Sequence, residues 1–226
     1  MASASEGWTA AHDAALEEFQ RKGTNEMQIQ SVLGEINDDT GAFHKHNDAE
    51  FNLLFHASIV NSLPAVKALV ELGVDPLRTN KKQINALHLM AKRNQVEMAR
   101  QCLEAVRADP ARAINLVNNS SDIGWTVLIQ AANEGKLDFV RWLIESDAKV
   151  NMTMGSGWTA LHAASMNGHV EVVKLLIKHG ADQKATASHR KFSHLPNSSS
   201  LVARDVAKNE ATRNAFDEAT GELIDL

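Results

Sequence analysis

Tyrosine is absent from the 226 residues, and cysteine occurs once, as Cys102. A lone cysteine excludes an internal disulfide. The absence of tyrosine removes a common acid and hydrogen-bond donor from any catalytic site. The first residues, MASASEGWTAAHDAA, contain neither the basic start nor the apolar stretch of a secretory signal. We therefore expect an intracellular protein, located in the cytoplasm, the nucleus or both.

Long apolar runs and an excess of positive charge are also missing. A membrane-spanning helix needs about 18 or more consecutive apolar residues, whereas the densest apolar stretch, residues 170–177, is interrupted by Glu171 and Lys174. No membrane association is predicted. The 23 lysines and arginines against 28 aspartates and glutamates leave a formal charge of -5. Because such a chain is poorly suited to neutralising phosphates, no nucleic-acid partner is predicted.

The sequence motifs of the common enzymes are absent. There is no nucleotide-binding glycine loop, no Gly-x-Ser-x-Gly, no Cys-x-x-Cys and no His-Glu-x-x-His. We therefore predict a protein that is not an enzyme and has no cofactor. The weak candidates for a metal site are His44, His46, Asp48 and Glu50, which would project to one side of an extended segment. A polar linker gives the same residues by composition, so no metal is predicted. An enzyme built on this cluster would retain stoichiometric metal through purification.

The chain repeats itself at a fixed period. Ten residues, beginning with Gly124, Trp125 and Thr126, recur 33 positions later. The later set is Gly157, Trp158, Thr159, Leu161, Ala164, Gly168, Val173, Leu176, Ile177 and Ala181. Earlier, Asn61 recurs as Asn94 at the position of the helix-ending glycine. Asparagine is the next best residue after glycine for a left-handed backbone, so these earlier segments fit the same unit.

Each unit is predicted to form a short helix, a tight turn and a longer helix. Thr159 can cap a first helix that ends at Asn167 and Gly168. A second helix over residues 170–178 carries apolar residues on more than one side. One unit cannot bury its own apolar faces, and we therefore expect the units to stack on one another.

These residues resemble the ankyrin-repeat family. GWTALHAASMNGHVEVVKLLIKHGAD is similar to the family pattern G-x-T-P-L-H-x-A-A-x-x-G, and so is DIGWTVLIQAANEGKLDFVRWLIESDAKVN. INALHLMAKRNQVEMARQCLEAV and FNLLFHASIVNSLPAVKALVELGVDP are more degenerate but keep the spacing, and VARDVAKNEATRNAFDEA resembles a truncated final unit. The resemblance implies an all-α solenoid of stacked helix-turn-helix units with hairpin-like loops. A departure from the family is the replacement of the consensus proline that begins the first helix.

The predicted organisation has four repeats between two terminal segments. Residues 1–49 are predicted to form an acidic helical cap, with helices at about Thr9–Arg21 and Asn25–Ile36. The four repeats span about residues 50–82, 83–122, 123–155 and 156–182. Eight extra residues fall between Ala105 and Asp122, which we predict as a loop, and residues 183–200 are predicted to be a flexible insertion. Residues 201–226 are predicted to be a truncated capping repeat and tail.

Four further residues have an expected role outside partner binding. The resemblance implies that His88 and His162 tie neighbouring hairpin loops together by hydrogen bonds. Cys102 falls on the second helix of its unit and is predicted to be a buried apolar residue. Ser193 follows a basic run, His189-Arg190-Lys191, in a segment without acidic residues, which makes it a candidate for phosphorylation.

The family usually binds partners on its concave face, through loop tips and first helices. The residues that the resemblance assigns to partner binding are Phe51, Lys81, Lys82, Ile84, Lys92, Arg93, Trp125, Asn133, Glu134, Ser156, Trp158, Met166 and Asn167. Phe51, Ile84, Trp125 and Trp158 occupy one equivalent position and predict an apolar stripe. The lysines and Arg93 form a basic cluster beside it, which favours a partner segment with apolar anchors and an acidic end.

Two functions follow from these features. The first is a non-catalytic adaptor, monomeric alone, that binds one or more partner proteins through the concave groove. The alternative is a chaperone or assembly factor for a basic client, which would use the acidic ends of the chain. Residues 1–50 carry ten acidic and three basic residues, and residues 205–226 carry six and two. Sensitivity to salt separates the two, because screening weakens binding by exposed charges.

Overall fold

The computed structural model describes residues 10–21, 27–29, 52–188 and 200–224, with the side chains of residues 12–21, 27–29, 52–188 and 200–219. The described chain is mostly helical with few strands, as predicted. Its helices are α1 (Ala10–Gln20), α2 (Leu53–Ile59), α3 (Leu63–Glu71), α4 (Ala86–Arg93), α5 (Val96–Val106), α6 (Pro110–Val117), α7 (Val127–Asn133), α8 (Leu137–Glu145), α9 (Ala160–Asn167), α10 (Val170–Lys178) and α11 (Glu210–Ile224). Two short strands, β1 (Thr186–Ala187) and β2 (Leu201–Val202), complete the list.

The described residues divide into two compact units. The first contains those up to Met90 together with Gln95–Leu116, and the second contains Ala91–Asn94 and those from Val117 onward. No described helix is both long enough and apolar enough to cross a bilayer.

The first unit is built on pairs of packed helices. Helix α1 packs against α2, α2 against α3, and α3 against α5. Asn52 begins α2 by accepting a hydrogen bond from the backbone N–H of Phe55 at 3.1 Å. Ser62 begins α3 in the same way, with the N–H of Ala65 at 3.3 Å. Such caps satisfy backbone donors that a helix start leaves open. Phe55 and Leu69 are fully buried between the helices.

The eight extra residues after α5 do not form the predicted loop. They supply part of α6, which begins at Pro110 directly after Asp109. The Asp109 carboxylate accepts from the backbone N–H groups of Ala111 and Arg112 at 3.0 and 3.2 Å. An aspartate cap followed by proline at the first helical position is a helix-starting signal. The helix is anchored because Leu116 is fully buried, and the loop prediction is wrong at this point.

The second unit repeats one arrangement of helices. Helix α7 packs against α8 and α9, α9 against α10, and α10 against α8 and α11. Thr126 and Thr159 cap α7 and α9 through bonds to the third backbone N–H of each helix, at 3.1 and 3.3 Å. Gly168 ends α9 with φ 80°. The two helix pairs reproduce the predicted unit, including its predicted cap and its predicted end.

The same tight loop precedes three of the first helices. In residues 80–84, 121–125 and 154–158, the backbone N–H of the first residue donates to the carbonyl of the fifth at 2.9–3.0 Å. The fourth residue has a left-handed backbone and is Gln83, Gly124 or Gly157. A β-carbon at Gly157 would collide with the carbonyl oxygen of Thr186. Glycine is therefore required at residue 157 by the close approach of the following loop.

The truncated last repeat closes the second unit. Strands β1 and β2 pair antiparallel, with Ala187 opposite Leu201. Residues 203–206, at the position of a repeat's first helix, form a turn, and α11 takes the place of the second helix. Arg204 pairs with Asp217 at 2.7 Å, and Lys174 pairs with Glu218 at 2.6 Å.

Several predictions concern residues outside the described ranges. The first predicted N-terminal helix coincides with α1, and residues 27–29 are helical within the second. The remainder of that helix, the metal candidates His44, His46, Asp48 and Glu50, the partner candidate Phe51, and Ser193 of the predicted insertion all lie outside what the structure describes.

Candidate partner-binding surface

His162 ties the last two repeats together, as predicted. Its Nε2–H donates to the carbonyl oxygen of Leu201 at 3.0 Å, and its Nδ1 accepts from the Thr159 hydroxyl at 2.8 Å. These two bonds define the neutral tautomer with the proton on Nε2. Burial lowers the pKa of His162, and the Leu201 carbonyl and the charge of Asp205 oppose that shift. The side chain is therefore a neutral structural link. In the first unit, the Nδ1 of His88 lies 2.9 Å from Oδ1 of Asn85.

Trp158 is not available to a partner. Its side chain is 2% exposed, and its indole ring stacks on the imidazole of His162 with 5.0 Å between centroids. The prediction that Trp158 forms part of a partner-binding stripe is therefore wrong. The two repeats differ five residues further on. Position 163, which corresponds to Gln130 of the preceding repeat, is alanine, so the Trp158 indole cannot make the equivalent hydrogen bond.

Trp125, the equivalent residue one repeat earlier, stays at the surface. It is half-buried, and its indole N–H donates to Oε1 of Gln130 at 2.8 Å. Gln130 stands where the next repeat has Ala163, so this hydrogen bond has no equivalent in the next repeat. An aromatic side chain held at the surface by a hydrogen bond is a typical element of protein interfaces.

A string of hydrogen bonds extends from Trp125 across the ends of two helices. Nε2 of Gln130 donates to Oε1 of Glu134 at 3.1 Å, and Nδ2 of Asn133 reaches the same oxygen at 3.4 Å. Nδ2 of Asn167, at the end of α9, donates to Oδ1 of Asn133 at 3.0 Å. Four of the predicted partner-binding residues, Trp125, Asn133, Glu134 and Asn167, are thus brought into one connected patch.

The patch is bordered by an exposed apolar side chain. Ile123, at the tip of the loop that carries Trp125, is 59% exposed. Met166 beside Asn167 is half-buried, and Ser156 at the next loop tip is exposed. The exposure of Met166 and Ser156 is compatible with their predicted role in binding.

The basic residues divide between the two units. Lys81 and Lys82 are exposed and Ile84 is half-buried in the first unit. Lys92 and Arg93 are exposed at the end of α4, in the second unit. Asn94, the next residue, donates to the Asp138 carboxylate at 3.2 Å and accepts from the N–H of Phe139 at 3.2 Å. The end of α4 therefore lies beside the turn that joins α7 to α8.

Neither a metal-binding cluster nor a reactive thiol occurs among the described residues. Among the residues that the structure describes, no group of three histidine, cysteine or acidic side chains could hold a metal ion. Cys102 is fully buried, as predicted, and burial raises the pKa of its thiol to about 12. A thiol with so high a pKa is a poor nucleophile at neutral pH.

Sequence reasoning missed residues that organise this region. Gln130 positions Trp125 and Glu134, and only its polarity between Ile129 and Ala131 distinguishes it. Asn118 and Asn151 were also missed, although they stand one repeat period apart. Their Oδ1 atoms accept from the backbone N–H groups of Lys149 and Asp182 at 2.7 and 2.8 Å. The two asparagines thus join successive repeats.

Comparison with protein families identifies the architecture. The family model described as "Ankyrin repeats (3 copies)" matches residues 53–154 and again residues 87–187. These matches cover more than half of the chain, which therefore belongs to the ankyrin-repeat family. Ankyrin repeats are generally protein–protein interaction modules, and the family is typically non-catalytic. No curated protein matches the chain significantly.

Proposed function

We propose that this protein is a non-catalytic adaptor that binds a partner protein through the surface around Trp125. This Trp125 surface lies in the second unit and comprises Lys92, Arg93, Ile123, Trp125, Asn133, Glu134, Ser156, Met166 and Asn167. The observation that carries the proposal is the hydrogen bond from Trp125 to Gln130 at 2.8 Å. It holds a large aromatic ring in one orientation while leaving it half-buried, so little conformational entropy is lost on binding.

The partner segment is expected to combine an apolar anchor with an acidic side chain. Ile123 and Trp125 supply apolar area within the surface, and aromatic residues are enriched among those that contribute most to affinity. Lys92 and Arg93 are exposed at its edge, where complementary charge increases the rate of association.

The alternative, a chaperone for a basic client, is less well supported. Two acidic residues of α11, Asp217 and Glu218, are already paired with Arg204 and Lys174. A basic client would have to displace those pairs. If client binding is lost in about 0.5 M salt but survives replacement of Trp125, the acidic ends rather than the Trp125 surface are responsible.

The proposal is tested by comparing proteins that cross-link to the wild type and to two surface variants, Ile123→Asp and Trp125→Ala. Ile114→Asp is the matched control, because Ile114 is also an exposed isoleucine, 43% accessible, in the first unit. Partners lost from both Trp125-surface variants and kept by Ile114→Asp support the proposal. Identical partners with all four proteins contradict it. Urea unfolding of each variant shows that the fold is retained.

A further inference from the structure

Glu134 presents an open acceptor within the Trp125 surface. Its Oε1 accepts from Gln130 and Asn133. Its Oε2 has no hydrogen-bond or ion-pair partner among the residues that the structure describes. Glu134 is half-buried, and the hydrogen bonds from the two amides set the orientation of its carboxylate. A charged donor reaching Oε2 would form a charge-assisted hydrogen bond, which is stronger than one between neutral groups.

The same carboxylate is joined to an aromatic ring through one side chain. Gln130 receives the indole N–H of Trp125 at 2.8 Å and donates to Glu134 at 3.1 Å. An ammonium or guanidinium group interacts favourably with a carboxylate and with the face of an indole. Trp125 and Glu134 together therefore suit a lysine or arginine side chain of a partner.

The preceding repeat carries the opposite charge at the equivalent positions. In the register of the repeats, Lys92 and Arg93 stand where the next repeat has Asn133 and Glu134. The hydrogen bonds of Asn94 to the start of α8 place this basic pair next to the end of α7. Along one edge of the second unit, the charge therefore changes from positive at Lys92 and Arg93 to negative at Glu134, from one repeat to the next.

The distance between repeats sets the spacing in a bound segment. Packed helices lie about 8–10 Å apart, and an extended chain advances about 3.3 Å per residue. Equivalent positions in consecutive repeats are therefore about three residues apart along an extended segment. We propose that the partner segment is extended and carries a lysine or arginine that contacts Trp125 and Glu134, about three residues from an acidic side chain that faces Lys92 and Arg93. This inference rests on the proposed function and adds the charge order of the partner.

The test uses a library of random twelve-residue peptides displayed on phage and selected on the full-length protein. We expect enrichment of peptides with an acidic residue about three positions from a lysine or arginine. For an enriched peptide, Glu134→Gln should weaken binding about fivefold, and Glu134→Lys should weaken it further. Glu145→Lys is the matched control, because Glu145 is exposed at the end of α8, and it should leave affinity unchanged.

Charge exchange makes the test specific. Replacing the basic residue of the peptide by glutamate should restore binding to the Glu134→Lys protein. An empty selection, or affinity within twofold of wild type for both Glu134 variants, overturns the inference. A peptide that is lost with Ile123→Asp and Trp125→Ala but insensitive to residue 134 leaves the proposed function standing and removes only the charge order. A peptide insensitive to all four changes removes both.

Discussion

The imidazole ring of His169 packs over the α-carbon of Gly135, so closely that a β-carbon at residue 135 would lie 2.5 Å from Nδ1 of the ring. The ring also donates from Nε2 to the carbonyl oxygen of Asn133 at 3.0 Å. In the first unit, the equivalent residues are Asn61 and Gln95, whose side chains hydrogen-bond at 2.8 Å. The same contact between repeats is therefore made in two ways: Gly135 packs against the imidazole of His169, and Asn61 hydrogen-bonds to the amide of Gln95.

This relationship predicts a compensating pair of substitutions. Gly135→Asn keeps a residue that tolerates the left-handed backbone at φ 66° but places its β-carbon against His169, and overpacking should cost about 2 kcal/mol. His169→Gln in the same chain recreates the Asn61–Gln95 pair and should recover most of that loss. Urea unfolding of the two single variants and the double variant measures the coupling. The interpretation is wrong if the double variant is no more stable than Gly135→Asn.

The two equivalent tryptophans should differ sharply in their effect on stability. Trp158→Ala removes a side chain that is 2% exposed and should lower the free energy of unfolding by about 3–5 kcal/mol. Trp125→Ala removes a half-buried ring and one hydrogen bond, which should cost about 1 kcal/mol. Denaturant unfolding followed by circular dichroism gives both values. Equal losses would contradict the different placement of the two rings.

Stability should fall as the pH drops below about 6.5. Burial lowers the pKa of His162 and of His56, so the unfolded chain binds these protons before the folded chain does. Their contribution is complete above the unfolded pKa and is lost as the pH falls toward the lower folded pKa, with at most about 1.4 kcal/mol per pH unit for each group. We expect His162→Gln, which can still donate to Leu201, to show a shallower decline.

The free energy of unfolding is measured at pH 8 and at pH 5 for the wild type and for His162→Gln. The decline of each protein is taken relative to its own value at pH 8. Any constant cost of the glutamine then cancels. A decline in His162→Gln as steep as in the wild type would assign the pH dependence to other groups.

Cys102 should report on unfolding through its reactivity. The side chain is fully buried, and burial raises the pKa of the thiol to about 12. In the folded state a reagent cannot reach the sulfur, and the thiol is not ionised at neutral pH. We expect labelling by a disulfide reagent to proceed only as fast as the protein opens, and rapidly in denaturant. Labelling that is fast in buffer and unaffected by stabilising conditions would show local access to the helix α5 core.

The periodic pattern was enough to predict the helix pairs. Within a repeat the contacts are local, and Thr126, Thr159 and Gly168 mark a helix start or end through their own side-chain and backbone chemistry. The histidine link of His162 was implied by the resemblance to ankyrin repeats. Helix α6 was missed because a single Asp109-Pro110 start outside the repeat carried no periodic signal.

Exposure could not be predicted from the repeat register. Trp125 and Trp158 are identical in type and stand at the same position of consecutive repeats, and the sequence alone predicts one role for both. Trp125 hydrogen-bonds to Gln130, whereas the equivalent residue of the next repeat is Ala163 and Trp158 packs against the ring of His162. The sequence by itself determined the ankyrin fold, since backbone signals recur at every repeat. Only the tertiary structure decided which side chains remain at the surface, because burial depends on the neighbours that each ring meets after the repeats stack.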